Sequence, residues 1–337
     1  MKNLLKQFIA IALVTIISVS AFAYDFEVDG IYYSINGEGT VAVTYNNRAH
    51  DYTGNIVIPA EVTYEGITYT VTAIGTSAFE NSYSSLSSVT MPNTITTIGN
   101  SAFAGCIGIW QIDIPASVTR IEDNAFYGCT GIQSIEIPHG VTEIGGYTFY
   151  NCVNLRNITL CNGITSIGEC AFTYCRIEQI AIPSTVTRIS NWAFSRCYWL
   201  DTVICEGETP ASLGNYVFIN THIDTATLIV PCNAAANYQN AAQWNDFGEI
   251  LEDCEGIYVG IEGVKVENDN SIFVYPNPAK ENITLEVQDD IFIYNDKGQE
   301  VLYVNSPNGK TTINVANLPK GIYFIKAGER RQKFIKE

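Results

Sequence analysis

The chain repeats itself every 22–24 residues, which narrows the folds open to it more than any other feature. Phe79, Phe103, Phe126, Phe149, Phe172 and Phe194 are separated by 24, 23, 23, 23 and 22 residues, and Cys106, Cys129, Cys152, Cys175 and Cys197 follow the last five at a constant offset of three. Pro92, Pro115, Pro138 and Pro183 mark the same register, with Cys161 standing where one proline is missing. A fixed period in the twenties is the signature of a solenoid whose turns stack on one another.

One unit runs from Ile132 to Cys152. The alternation Ile135-x-Ile137 predicts a short strand with one face in the core, and Pro138 ends it because proline cannot donate to a ladder. Gly145 is expected in a turn that needs unusual backbone angles. Each turn sends several apolar side chains inward, and burying the aromatic one stabilises by roughly 1.5–3 kcal/mol. In this register the five thiols form a buried column, where free Cys behaves as a small hydrophobe. Zinc sites pair cysteines at C-x2–4-C with further Cys or His nearby, whereas only His50, His139 and His222 occur here, so no metal site and no cofactor is expected.

Charge divides the chain. Residues 24–263 hold 25 acidic residues, six arginines and no lysine, whereas residues 264–337 hold ten acidic and ten basic residues. That shift marks two domains, and so acidic a body repels phosphate backbones, which excludes nucleic acid as a natural partner. Ahead of both, Lys2 and Lys6, an apolar run from Phe8 to Val19 and Ala21-Phe22-Ala23 fit a secretory signal cleaved between Ala23 and Tyr24. The run is too short to span a bilayer.

From Lys265 the pattern becomes short alternating strands between turn signals such as Asn295-Asp296-Lys297-Gly298 and Pro319-Lys320-Gly321. The runs Ile291–Tyr294, Ile313–Val315 and Ile322–Ala327 predict a small antiparallel β-sandwich.

Catalytic signatures are missing. No G-x-S-x-G, H-E-x-x-H or P-loop occurs, and three scattered histidines offer no base for a nucleophile. Glu122-Asp123 reads as solvated surface on an acidic solenoid, not as a glycosidase pair. Thr96, Thr119, Thr142, Thr165 and Thr187 form a further register, read as a hydroxyl column that stabilises turns.

The unit LxxIxIPxxVTxIgxxAFxxC resembles the BspA-type, or Treponema pallidum-type, leucine-rich repeat over about residues 71–231. The stretch before it resembles the β-hairpin entry to such arrays, and LIVPCNAAANYQNAAQWNDFGEILEDC resembles a closing unit, with a short helix and Tyr238, Trp244 and Phe247 over the open end. Cys232 and Cys254 flank that closing unit and are expected to form a disulfide. The motifs VYPNPAKENITLEV, IFIYNDKGQEVL and INVANLPKGIYFIKAGERRQKFIKE resemble the type A sorting domain of the type IX secretion system.

These resemblances imply a mostly β chain: a right-handed leucine-rich-repeat solenoid with 22–24 residue turns and short caps, then a small Ig-like antiparallel β-sandwich. The expected division is signal peptide 1–23, hairpin entry 24–70, repeats 71–231, cap and linker 232–262 and sorting domain 263–337. They also imply export through the periplasm by the type IX machinery, removal of the last domain by its sortase, and an outer-membrane surface or extracellular location. The repeats then serve recognition or adhesion toward a host or matrix protein, with glycan capture, suggested by Trp110 and the polar sheet face, as the alternative; no enzyme is expected.

Within L-x-x-I-x-I-P the residues flanking the central apolar position point outward. Stacked, they form one column of Ser88, Gln111, Ser134, Asn157, Gln179 and Thr202 and another of Thr90, Asp113, Glu136, Thr159, Ala181 and Ile204. Trp110 and Arg156 precede their strands and lie at the rim. The polar members and these two are the candidate ligand contacts.

Overall fold

The computed structural model describes residues 24–46, 52–254, 279–287, 289–295, 297–305, 309–328 and 330–336. The expected signal, including Ala23, lies outside them, as does the Pro276-Asn277-Pro278 turn; Tyr24 is the first residue described.

The chain is mostly β and winds into a solenoid of about eight turns. Two parallel ladders run along it. The wider one begins where Gly54–Val57 pairs with Leu86–Thr90, continues through Ser134–Glu136 against Asn157–Thr159, and ends in Gln179–Ile182, Thr202–Cys205, Thr227–Pro231 and Glu249–Asp253 side by side. The narrower one uses two-residue strands, such as Glu143–Ile144, Ser166–Ile167, Arg188–Ile189 and Ser212–Leu213. Branched residues at i and i+2 supply the wider ladder because alternate side chains of a strand share a face.

Between the ladders the phenylalanines stack. Ring centroids from Phe79 through Phe194 lie 5.1 to 5.5 Å apart, with planes within 13° of parallel. Phe218 is a seventh rung, 5.7 Å beyond Phe194. Tyr52 closes the column at one end, and Trp244 and Phe247 meet Phe218 edge-on at the other. Every ring from Phe79 to Phe194 is at most 1% exposed.

Gly145 departs from expectation. Its φ is not positive; a Cβ there would come within 2.6 Å of Asp123 Oδ1 and 3.1 Å of its backbone nitrogen. Glycine is needed because neighbouring turns approach too closely for a side chain. The left-handed backbone falls instead on either side of each phenylalanine: two residues before it at Ser77, Ser101, Asn124, Tyr147, Cys170, Trp192 and Tyr216, and two after it at Asn81, Gly105, Gly128, Asn151, Tyr174, Arg196 and Asn220.

The entry is more elaborate than a hairpin. Phe26–Val28, Ile31–Gly37 and Thr40–Thr44 form an antiparallel meander, and Thr40–Thr44 then pairs in parallel with Ile67–Ile74, which feeds the narrower ladder through Thr97–Ile98 and Arg120–Ile121. At the far end the helix Ala235–Gln239 buries Tyr238, whose hydroxyl donates to the Gly207 carbonyl at 2.7 Å, and Trp244 Nε1 donates to the Ala211 carbonyl at 2.9 Å. These contacts cover what a terminal turn would otherwise leave open to water. A last rung, Glu249–Asp253, follows that helix, and its register pairs Pro231 with Asp253. The pairing sets Cys232 beside Cys254, and the two are disulfide-bonded.

The C-terminal domain has its own core of Ala279, Ile283, Leu285, Ile291, Ile293, Tyr323, Ile325 and Phe334, among others. It joins two antiparallel sheets in a small sandwich: Asn282–Val287 with Gly309–Asn314, and Glu300–Val304, Ile291–Tyr294, Gly321–Ala327 and Arg330–Lys336 in that order.

Candidate functional site

The wider ladder stacks the outward residues as columns. Gln111 bridges to Ser134, Ser134 pairs with Asn157, Glu136 with Thr159 and Gln179 with Thr202. Thr90, Gln111, Asp113, Ser134 and Glu136 are exposed, and Ser88, Asn157, Thr159 and Gln179 are half-buried. Gln111 Nε2 donates to Asp113 Oδ1 at 3.2 Å, and Ser88 Oγ donates to Asn55 Oδ1 at 2.8 Å. Along one rim the backbone of Gln133 donates to the Trp110 carbonyl, and that of Arg156 to the Gln133 carbonyl. Trp110 is 63% exposed there and Arg156 is also open. Two positions further ahead of their strands stands a pair not anticipated from the sequence: the Arg176 guanidinium lies 4.6 Å over the ring of exposed Trp199.

Thr202 does not fit an open site, since it is buried, and so is Ile204 in the same strand. The outward face closes here because Ile204 and its neighbour Ile229 pack against Tyr294 and Phe324 of the C-terminal domain.

A second surface lies on the turns that carry the phenylalanines. Tyr127 and Tyr150 stack at 5.0 Å, Tyr174 meets Tyr150 edge-on at 5.7 Å, and Arg196 sits 5.0 Å over Tyr174. Trp192 and Tyr216 stack at 6.3 Å. Tyr147 Oη donates to Glu169 Oε1 at 3.0 Å, and hydrogen bonding to Cys170 and Glu169 pushes that phenol up. Tyr147, Trp192 and Tyr216 hold left-handed backbone, with φ of 56°, 55° and 58°, at positions where earlier turns use Ser or Asn. Bulky side chains there are strained by roughly 1–2 kcal/mol each, so the stripe is built against backbone preference. Its signal in the sequence is an aromatic recurring two residues before the phenylalanine, or one or two after it.

The thiol column carries no nucleophile. Each Sγ donates to the carbonyl of the phenylalanine one turn back, from Cys106 to Phe79 at 3.0 Å through Cys197 to Phe172 at 3.1 Å. Burial pushes Cys106, Cys152 and Cys197 up to about 12, and Cys129 and Cys175 well above their ordinary value. Burial therefore keeps these thiols protonated near neutral pH, which makes them weak nucleophiles. Among the described residues, one group of possible ligands lies close together, Cys232, Glu252 and Cys254, but both sulfurs are committed to the disulfide. The threonine column is a backbone device: Thr119 Oγ1 donates to the Thr96 carbonyl and Thr165 Oγ1 to the Thr142 carbonyl.

Stacked parallel rungs, an aromatic spine and capped ends define a leucine-rich-repeat solenoid. The chain belongs to the BspA type leucine rich repeat family, which it matches in six copies over residues 60–169 and 121–241, and residues 273–337 match the secretion system C-terminal sorting domain. That domain indicates type IX secretion to the cell surface or the outside. Among described residues no helix is long and apolar enough to cross a membrane.

One solved structure agrees with the fold. The leucine-rich repeat protein of T. pallidum is 24% identical, with a TM-score of 0.50, over 58% of this chain and 88% of its own. A leucine-rich cell surface protein from Faecalibacterium prausnitzii A2-165 is 31% identical, with a TM-score of 0.45, over 55% of each chain, so the match spans about half the length of that relative. A leucine-rich repeat protein from Bacteroides ovatus is 21% identical, with a TM-score of 0.33, over 68% of this chain and 76% of its own. No curated protein matches.

Proposed function

We propose that this chain is a surface-displayed or secreted recognition protein that binds a host or matrix protein through the polar outward columns of its wider ladder, without catalysis. One observation carries the reading: the outward positions differ from turn to turn in charge and hydrogen-bonding type, while the inward positions barely vary. A core that constrains one face and leaves the other free suits recognition on a rigid scaffold. Trp110 and Arg156 at the rim are residue types that often dominate binding energy. The sorting domain would hand the chain to the type IX machinery and its sortase, and the thiols would serve structure alone.

A second reading, glycan capture, is favoured by the aromatic stripe, in which Tyr127, Trp192 and Tyr216 are exposed and Tyr150 and Tyr174 half-buried. Flat rings spaced along a rigid surface suit stacking against sugar faces, and the backbone strain at Tyr174, Trp192 and Tyr216 points to a role outside folding. A paired screen on residues 24–262, against immobilised matrix proteins and against a glycan array, separates the two. Binding to proteins that is lost with changes in the sheet columns supports the first reading; binding to glycans that is lost with changes in the stripe supports the second.

A further inference from the structure

The outward column of the wider ladder changes character along the solenoid. Asp113, Glu136 and Thr159 are followed by Ala181, Ile204, Ile229 and Leu251, and the register aligns Ala181 with Ile204, Ile204 with Ile229, and Ile229 with Leu251. A sheet with one wet face should alternate buried and exposed positions, yet all four residues of Thr202–Cys205 are buried. Ile204 is 1% exposed and Ile229 2%. What covers them is the opposite face of the C-terminal sheet. Its strands Ile291–Tyr294 and Gly321–Ala327 send Ile291, Ile293, Tyr323 and Ile325 into their own core, and turn Tyr294 and Phe324, with Phe292 and Ile322, onto the solenoid. Tyr294 and Phe324 are paired in register, so the two rings act as one surface.

We infer that the C-terminal domain is a cover held in place by its covalent connection, which keeps an apolar docking patch of Ala181, Ile204 and Ile229 closed until the chain is cut between the domains. The cover does not depend on what the polar half of the ladder binds. Its size is what makes it switchable. The cluster between the domains has four buried side chains and is separate from the core of either, so each domain keeps its own packing when they part. On one chain the contact closes intramolecularly, at an effective concentration of about mM, and one backbone cut removes that advantage. Cutting therefore adds an open apolar patch to a ladder face whose earlier turns are polar. The patch so opened fits an aromatic protein surface like the one that leaves it.

The test uses the full chain with a protease recognition sequence inserted at Asn270 and the substitution Ile204→Cys, read by maleimide labelling. The native free cysteines among the described residues are all buried and give little background. Before cutting, the new thiol should be unreactive. After cutting, the C-terminal domain should separate on size exclusion, and labelling should rise by more than about tenfold. Val203→Cys, which faces the core, should stay unreactive throughout, and Phe324→Asp in the uncut chain should reproduce the effect of the cut. Rapid labelling of the intact chain overturns the inference, as does a domain that stays bound after cutting or a thiol that stays protected once the domain has left.

Discussion

The thiol of Cys152 donates a 3.2 Å hydrogen bond to the carbonyl oxygen of Phe126, one turn earlier in the solenoid. The same bond recurs in four further turns, so each cysteine fills its slot and ties its turn to the one before. Cys152→Val should therefore lose about 0.5–1.5 kcal/mol despite its apolar side chain, through the lost donor, and Cys152→Ala should lose more because it also leaves a void. Urea unfolding monitored by circular dichroism reads both.

Alkaline pH should destabilise the array. Burial holds Cys106, Cys152, Cys197 and Cys205 protonated up to about 12, against an ordinary value of 9.0. The unfolded chain thus releases these protons first, so their contribution is fully present below about pH 9 and is lost as pH climbs toward 12. Urea midpoints at neutral pH and at about pH 10.5 should fall steeply in the native chain and less in a variant with Cys106, Cys152 and Cys197 all replaced by Val.

Phe149 sits in the middle of the spine, with Phe126 and Phe172 each 5.5 Å away. Phe149→Ala should cost roughly 3–5 kcal/mol and loosen the adjacent turns, because stability in a solenoid resides in nearest-neighbour interfaces. Hydrogen exchange should show the loss centred on residues 126–172. An unchanged melting temperature would place the ring outside the core.

The spine was legible because its spacing is set by the rise of one turn, which the sequence must obey at Phe79 as at Phe194. Phe218 escaped because Thr221 stands where a cysteine would complete the motif, although the ring stacks as the others do. The role of Gly145 was misread because close approach between turns and left-handed backbone both select glycine, and the sequence does not distinguish them. The outward columns followed from strand alternation. The burial of Thr202 did not, because it coincides with contact by a domain more than eighty residues away in the chain, while alternation describes one sheet alone. The aromatic stripe was hidden by its spread over three offsets from the phenylalanine.

Tyr216→Asn should leave stability unchanged or raise it by about 0.5–1 kcal/mol, since asparagine tolerates left-handed backbone and the ring is exposed. If the stripe captures glycan, the same change should weaken that binding. Thermal melts and glycan-array titration on one preparation measure the two effects. A clear loss of stability would show that stacking on Trp192 outweighs the strain.

The most direct test of the account is to replace Gln111, Asp113, Glu136 and Asn157 together with alanine in the full chain and titrate it against the protein ligand selected by the screen. These side chains lie outside the core, so folding should survive with small changes in melting temperature. The account predicts binding weakened by more than about tenfold with the melt preserved. Undiminished binding by a folded variant would contradict it and move recognition off the sheet face.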